Sequence, residues 1–177
     1  MKIVVGAGST HYPGWLSLQQ SELDLTDSNG WARLFRPASL SAILAEHVIE
    51  HLTVEQTCQA FKLCYRYLKP GGYLRIAVPD GFHTSRAYYE WVRPGGIWNG
   101  DDHKQLLNYK SLARLLCRAN FRVLLREYFD ETGNLHAPGF DQSHGNIRRS
   151  HQNPYSIILG LAVSARYTSL VCDAFKV

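Results

Sequence analysis

The sequence predicts an α/β fold on three observations. A short, mostly apolar run, Lys2 to Val5, leads straight into Gly6 and Gly8, as a buried strand ending in a tight turn does. Leu40 to Ala45 holds only apolar residues and Ser41, the composition of a strand covered on both faces of a parallel sheet. A capped helix and a further strand then follow, so strand, helix and strand succeed one another over about forty residues, the spacing of a right-handed crossover.

The remaining elements take their places around that unit. Trp15 to Gln19 mixes apolar and polar residues as a short half-buried strand does. Asp27-Ser28-Asn29 offers N-cap chemistry for a brief helix through Trp31, Leu34 and Phe35, which Pro37 ends. Thr53 caps a helix from Val54 to Leu68, and Gln56 three residues on completes a capping box. Ala60, Leu63, Cys64, Tyr67 and Leu68 supply its apolar face. Lys69-Pro70-Gly71-Gly72 stops it, since proline cannot continue a helix and glycine accepts a left-handed turn. Tyr73 to Val78 is the next strand. Thr84 to Val92 reads as an aromatic helix, Lys110 to Ala119 as a second one with Leu112, Leu115 and Leu116 on one side, and Phe121 to Phe129 as a strand. Asp130 to Pro154 is polar, rich in glycine and histidine and without periodicity, the signature of a long loop or lid. Tyr155 to Ala165 fits helix and strand equally, and Tyr167 to Phe175 closes the chain as a strand.

Composition narrows the class. With 177 residues and 45% hydrophobic content, the chain suits one domain with a single core. No apolar stretch approaches the roughly 20 residues of a membrane span, and the N-terminus lacks the basic and apolar regions of a signal peptide, so a cytoplasmic protein is expected. Cys58, Cys64, Cys117 and Cys172 show no CxxC spacing and read as reduced, buried thiols. The net charge of +4 comes without a basic stripe, the longest cluster being Arg148-Arg149, so nucleic acid is not favoured as a partner. Nothing in the sequence sets the oligomeric state.

In a doubly wound sheet the ligand lies beyond the carboxyl ends of the strands, so the residues just after each strand carry the function. After the first come Gly6-Ala7-Gly8-Ser9-Thr10, where missing side chains let backbone approach a ligand. Later come Leu40 to Ala45, then Glu46-His47-Val48-Ile49-Glu50-His51-Leu52, then Tyr67-Leu68-Lys69-Pro70-Gly71-Gly72-Tyr73-Leu74, then Val78-Pro79-Asp80. In that order they resemble the class I S-adenosylmethionine-dependent methyltransferases, in particular small ones with an EHxxEHL segment and an LKPGGxL turn. The resemblance runs through Asn120-Phe121 to the closing Ser169-Leu170-Val171-Cys172-Asp173-Ala174.

That resemblance implies a Rossmann-like methyltransferase fold, with a mostly parallel sheet, helices on both faces and an antiparallel last strand. It implies S-adenosyl-L-methionine as cofactor. Gly6, Ala7 and Gly8 would lie against the cofactor's amino-acid part. Gln19 stands where relatives carry an acid for the ribose hydroxyls, and an amide bonds a hydroxyl without charge assistance. Asp24 or Asp27 matches the acidic position facing the adenine amine, though both also suit turns or caps. Ala45, Glu46 and His47 end the strand whose backbone contacts the cofactor. For a hydroxyl or amine acceptor, Asp80, His47 and His103 are the candidate bases, Asp80 first for its position after a strand. The segments 82–109, with Tyr88, Tyr89, Trp91 and Trp98, and 130–154 would wall or cover the acceptor, a small molecule or a saccharide, with Arg148 or Arg149 meeting an anionic group. The four tryptophans otherwise serve as packing residues.

Three other readings stand beside this one. One is a non-catalytic S-adenosylmethionine-binding protein of the same fold, motivated by Gln19 and the abbreviated stretch after it. A nicotinamide-binding domain would use the same glycine loop. The third is a zinc hydrolase, because His47-Val48-Ile49-Glu50-His51 satisfies the HxxEH pattern, with both histidines on one face if the segment is helical. No metal is expected on the methyltransferase reading.

Overall fold

The computed structural model describes residues 1–96, 102–152 and 168–177. Strands β1 (Lys2–Val5), β2 (Trp15–Leu18), β3 (Leu40–Glu46) and β4 (Leu68–Val78) run parallel. With β5 (Phe121–Phe129), β6 (Leu135–His136) and β7 (Leu170–Lys176) they form a seven-stranded sheet in the order β2-β1-β3-β4-β7-β5-β6. β7 runs antiparallel to both of its neighbours, and β6 folds back on β5. The mostly parallel sheet with an antiparallel last strand is therefore present. Trp98 and the stretch from Tyr155 to Ala165 fall outside the described residues.

Local chemistry sets the helices. Asp27 caps α1 (Ser28–Leu34) by accepting from the N–H groups of Asn29 and Gly30. Both halves of the Thr53–Gln56 capping box are made at the start of α2 (Val54–Tyr67). Ser85 caps α3 (Arg86–Val92), and Asn108 with Ser111 caps α4 (Tyr109–Arg118). Trp31 of α1, Phe61 and Cys64 of α2, and Leu112 and Leu116 of α4 join Ile3, Ile43, Ile76 and Cys172 in one core on one face of the sheet.

The Lys69–Gly72 segment does more than end α2. Pairing with β3 already begins at Leu68, and the register shifts between Leu40 and Ala42 to admit the extra residues. A Cβ on Gly72 would lie 2.9 Å from the Lys69 carbonyl oxygen and 3.1 Å from that of Leu40, so only glycine fits this bulge.

The opposite face is built differently. Residues 6–14 join the parallel strands β1 and β2 with no helix between them, whereas such a crossover usually needs a dozen or more residues. Among the described residues, Val4, Leu44, Ala77 and Val171 on this face are covered by Ile147, with Tyr12, Trp15 and Phe140 packed around them. The segment around Phe140 and Ile147 is fastened by Arg75, buried in β4. Its Nε and Nη2 donate to the two Asp173 carboxylate oxygens at 2.7 and 2.9 Å, and Nη1 donates to the carbonyls of Asp141 and Gly145 at 2.9 and 2.6 Å. Arg126 adds a second guanidinium to Asp173 at 2.8 Å.

All four cysteines are free. Cys64 and Cys172 are buried, which pushes the Cys64 thiol up to about 12 and the Cys172 thiol up as well. The expectation of buried thiols fails at Cys117, which is exposed near the end of α4, and at Cys58, which is half-buried. Among the described residues no helix is long and apolar enough to cross a membrane.

Candidate functional site

From β1 the chain winds outward to β2 on one side and to β3 and β4 on the other, so β1 and β3 flank the point where the winding reverses. Ligands of open α/β sheets bind in the crevice beyond the carboxyl ends of such strands. There a cavity of about 370 Å³ opens, within the size range of small-molecule sites. Its walls are the glycine loop after β1, the segment after β2 from Gln19 to Leu25, and the turn after β3 with His47, Val48, His51 and Leu52.

The glycine loop is shaped by its backbone. Gly6 and Gly8 have φ of +56° and +53°, in the left-handed region. A Cβ on Gly6 would meet Val48 Cγ2 at 2.7 Å, while a Cβ on Gly8 would have no atom within 4 Å. Gly6 is thus required for packing against the turn after β3, and Gly8 keeps the mouth of the loop open. Gln19 holds this loop in place: its Oε1 accepts from Gly8 N–H at 3.1 Å and its Nε2 donates to the Gly8 carbonyl at 2.9 Å. A carboxylate could make the first bond but not the second, because it has no proton to donate. The amide that replaces the expected acid therefore has a structural reason, and its polar atoms are engaged by the loop.

His47 and Glu50 meet in the turn after β3. His47 adopts φ of +54°, which swings the chain from the strand into the single 3₁₀ turn Ile49–His51. Its Nδ1 lies 2.8 Å from Glu50 Oε1, and its Nε2 lies 3.1 Å from Ser169 Oγ. Since the carboxylate only accepts, Nδ1 carries a proton, and Nε2, beside the Ser169 hydroxyl, is the ring's other nitrogen and the one able to take up a proton. Because the segment forms no α-helix and both His47 nitrogens are engaged in this way, His47 and His51 do not share a helical face. The HxxEH zinc-hydrolase arrangement is absent.

Of the residues singled out in the sequence, Gly6, Gly8, Gln19, Asp24 and His47 line the cavity. Asp24 also accepts from Thr26 N–H at 2.8 Å in a turn. Six others are placed elsewhere. Ala7 is buried against the second face of the sheet, and Ala45 lies in the main core. Asp27 is a helix cap. Glu46 accepts from Arg149 N–H at 2.9 Å, with Arg148 Nε 3.5 Å from its other oxygen. Asp80 is 1% exposed, and its two oxygens accept from the N–H groups of Phe82 and Phe129 at 2.9 and 2.7 Å. Burial raises its carboxyl above the ordinary range. Asp80 ties the end of β4 to β5, which removes it as a base facing the cavity. His103 is buried with Nδ1 2.7 Å from the Val92 carbonyl.

The two predicted walls also divide. In 82–109 Asp102 reaches the cavity, whereas Tyr88 is buried and its hydroxyl accepts from Asp80 N–H at 3.2 Å. In 130–154 the residues from Asp141 to Gly145 fasten to Arg75 beneath the sheet, while Arg148 runs beside the glycine loop, its Nη1 3.3 Å from Ser9 Oγ. Sequence reasoning missed Gln20, Leu23, Leu25, Val48, His51, Leu52 and Asp102 as lining residues. For His51 the signal was its place in the EHxxEHL segment; for the leucines none distinguished lining from core.

Residues 7–126 match the model of a methyltransferase domain. The chain belongs to this methyltransferase domain family, with the sheet of the class I S-adenosylmethionine-dependent members. It is accordingly an S-adenosylmethionine-dependent methyltransferase. Similar solved structures include an S-adenosylmethionine-dependent methyltransferase from Archaeoglobus fulgidus, 14% identical, with a TM-score of 0.56 over 99% of this chain and 85% of that one. One from Thermotoga maritima, 16% identical, has a TM-score of 0.55 over 100% of this chain and 73% of that one. One from Mesorhizobium loti, 11% identical, has a TM-score of 0.53 over 98% and 89%. At such identities these likenesses show the fold alone. No curated protein matches the sequence.

The cavity fits the family's cofactor. Two left-handed glycines present bare backbone at its floor, and exposed Gln20 and Asp24 offer polar groups on the wall beside β2. Gln19 is the departure, since its amide serves the glycine loop.

Proposed function

We propose that this cavity holds S-adenosylmethionine and that the enzyme methylates a hydroxyl or amine of a small molecule or a saccharide, with His47 as the base. The supporting observation is the convergence of Gly6, Gly8, Gln19, Asp24 and His47 on one cavity at the β1–β3 switch point. Bound there, the cofactor supplies a methyl group activated by its sulfonium. The protein's part is to align the acceptor, exclude water and take one proton.

Among the three candidate bases, His47 is the one on the cavity wall. Asp80 is occupied by backbone N–H groups, and His103 lies behind His51. Glu50 holds His47 through Nδ1, so the base would take the acceptor's proton on Nε2, giving up that nitrogen's contact with Ser169 Oγ. The volume suits a cofactor and a compact acceptor group better than a folded polymer, and the absence of a basic stripe in the sequence points the same way.

Calorimetry with S-adenosylhomocysteine and a panel of hydroxyl and amine acceptors tests this reading. We expect one cofactor site, and a His47→Gln variant that binds the cofactor normally but turns over about 10²- to 10⁴-fold more slowly. No heat at millimolar cofactor would sink the cavity assignment. Unchanged turnover in His47→Gln would sink the base.

A further inference from the structure

We propose that Glu50, His51 and His103 form a binding site for a divalent transition-metal ion at the side of the cavity. One ligand atom from each of the three lies within 4.8 Å of the others. The chain supplies them from two segments: Glu50 and His51 from the 3₁₀ turn after β3, and His103 from the stretch between α3 and α4. Lys104 N–H donates to the Glu50 carbonyl at 2.7 Å, so the backbone already holds the two segments together.

Each side chain has the form a metal ligand takes. Glu50 is 1% exposed and uses one oxygen for His47; its Oε2 has no hydrogen-bond partner among the described residues. A buried carboxylate oxygen left without a donor is costly, and a cation offsets that cost directly. His103 Nδ1 faces a carbonyl, which can only accept, so this nitrogen carries a proton and Nε2 is the ring nitrogen placed to ligate a metal. A ring N–H held by a backbone carbonyl is the support that metal-bound imidazoles commonly have. His51 packs edge-on against His103 with ring centroids 4.9 Å apart. Its Nδ1 sits 2.9 Å from Asp102 Oδ2 without hydrogen-bond geometry, so that nitrogen also lacks a hydrogen-bond partner.

Two imidazoles and one carboxylate are the donor set of zinc and neighbouring divalent ions. Bonds of about 2.1 Å in a tetrahedral site put ligand atoms about 3.4 Å apart, so the set closes modestly on binding. His51 is the most exposed of the three, with its side chain 37% accessible. His51 and Asp102 both line the cofactor cavity, which leaves the fourth coordination position on the cavity side. This set differs from the HxxEH reading, in which His47 would be a ligand; here His47 supports Glu50 from behind.

Metal binding is read without cofactor or acceptor, so its failure is distinct from failure of the proposed function. Chelator-treated protein titrated with Co²⁺ is expected to take up one equivalent, with visible absorption bands of four- or five-coordinate cobalt. Zn²⁺ should bleach those bands by displacement. His51→Ala and Glu50→Gln should each weaken binding by about 100-fold or more, while His144→Ala, which removes an exposed histidine elsewhere, leaves it intact. Glu50→Gln conserves shape, and the thermal unfolding midpoint of both variants checks that they are folded. Absence of a stoichiometric cobalt band in the parent protein would overturn the site, as would full affinity in folded His51→Ala or Glu50→Gln.

Discussion

At the scale of single residues, Gln19 shows how a departure from a family pattern acquires a cause. Read from the sequence, an amide where relatives carry an acid predicts only a weaker ribose contact. In the structure the amide is a two-way clamp on Gly8, accepting from its N–H and donating to its carbonyl. Gln19→Ala removes both of the side-chain bonds that tether Gly8 and so loosens the loop. Each neutral hydrogen bond contributes about 1 kcal/mol, so we expect cofactor affinity to fall by about tenfold or more, measured by calorimetry with S-adenosylhomocysteine. An unchanged affinity would show that the loop keeps its shape without the clamp. Asp80 and His103 carry the opposite lesson. Both follow strands or border the cavity in sequence, yet backbone groups claim Asp80 entirely and fix His103 through Nδ1. Which partners these two side chains find is a tertiary fact, and no local pattern contains it.

At the scale of elements, the strands and capped helices were legible because their signals are local: Thr53 with Gln56, Asp27 before Asn29 and Gly30, and the apolar run of β3. The glycine loop and His47 could be placed in the site for the same reason, as residues directly following strands. The covering of the second sheet face was not legible. Phe140 and Ile147 lie in a stretch with no periodicity, and what seats them is Arg75, Asp173 and Arg126, brought together only by the sheet order. Glu127 is a further fastening of this kind, accepting from Ser150 Oγ at 2.6 Å and His151 N–H at 2.9 Å. Burial raises its carboxyl above the ordinary value of 4.5, ahead of the opposing effect of those bonds. The folded state then binds its proton more tightly than the unfolded chain. Its contribution to stability is full below pH 4.5 and is lost as pH rises through the raised folded value. Glu127→Gln cannot titrate. Relative to that variant, the parent should lose stability as pH rises from 4.5 towards neutrality, by at most about 1.4 kcal/mol per pH unit. Urea denaturation at several pH values measures the difference, and parallel profiles would refute the shift.

At the scale of the molecule, the cavity joins segments that are far apart in the chain: the loop after β1, the stretch after β2, the turn after β3 and Asp102 before α4. Those segments hold their positions only while the sheet is intact, so the unfolded chain has no comparable site. A ligand of this cavity must then stabilise the whole fold by mass action. At a free concentration of one hundred times its dissociation constant, it contributes about 2.7 kcal/mol. For a chain of 177 residues, each kcal/mol moves the thermal midpoint by about 2–4 °C. S-Adenosylhomocysteine at that level should therefore raise the midpoint by about 5–10 °C, seen by calorimetric or fluorescence melting. NAD at equal concentration should leave it in place, because the cavity belongs to a methyltransferase domain. The shift should grow logarithmically with ligand concentration, which separates binding at a site from a general solvent effect. A midpoint that moves with NAD and not with S-adenosylhomocysteine would return the glycine loop to the nicotinamide reading it shares in sequence.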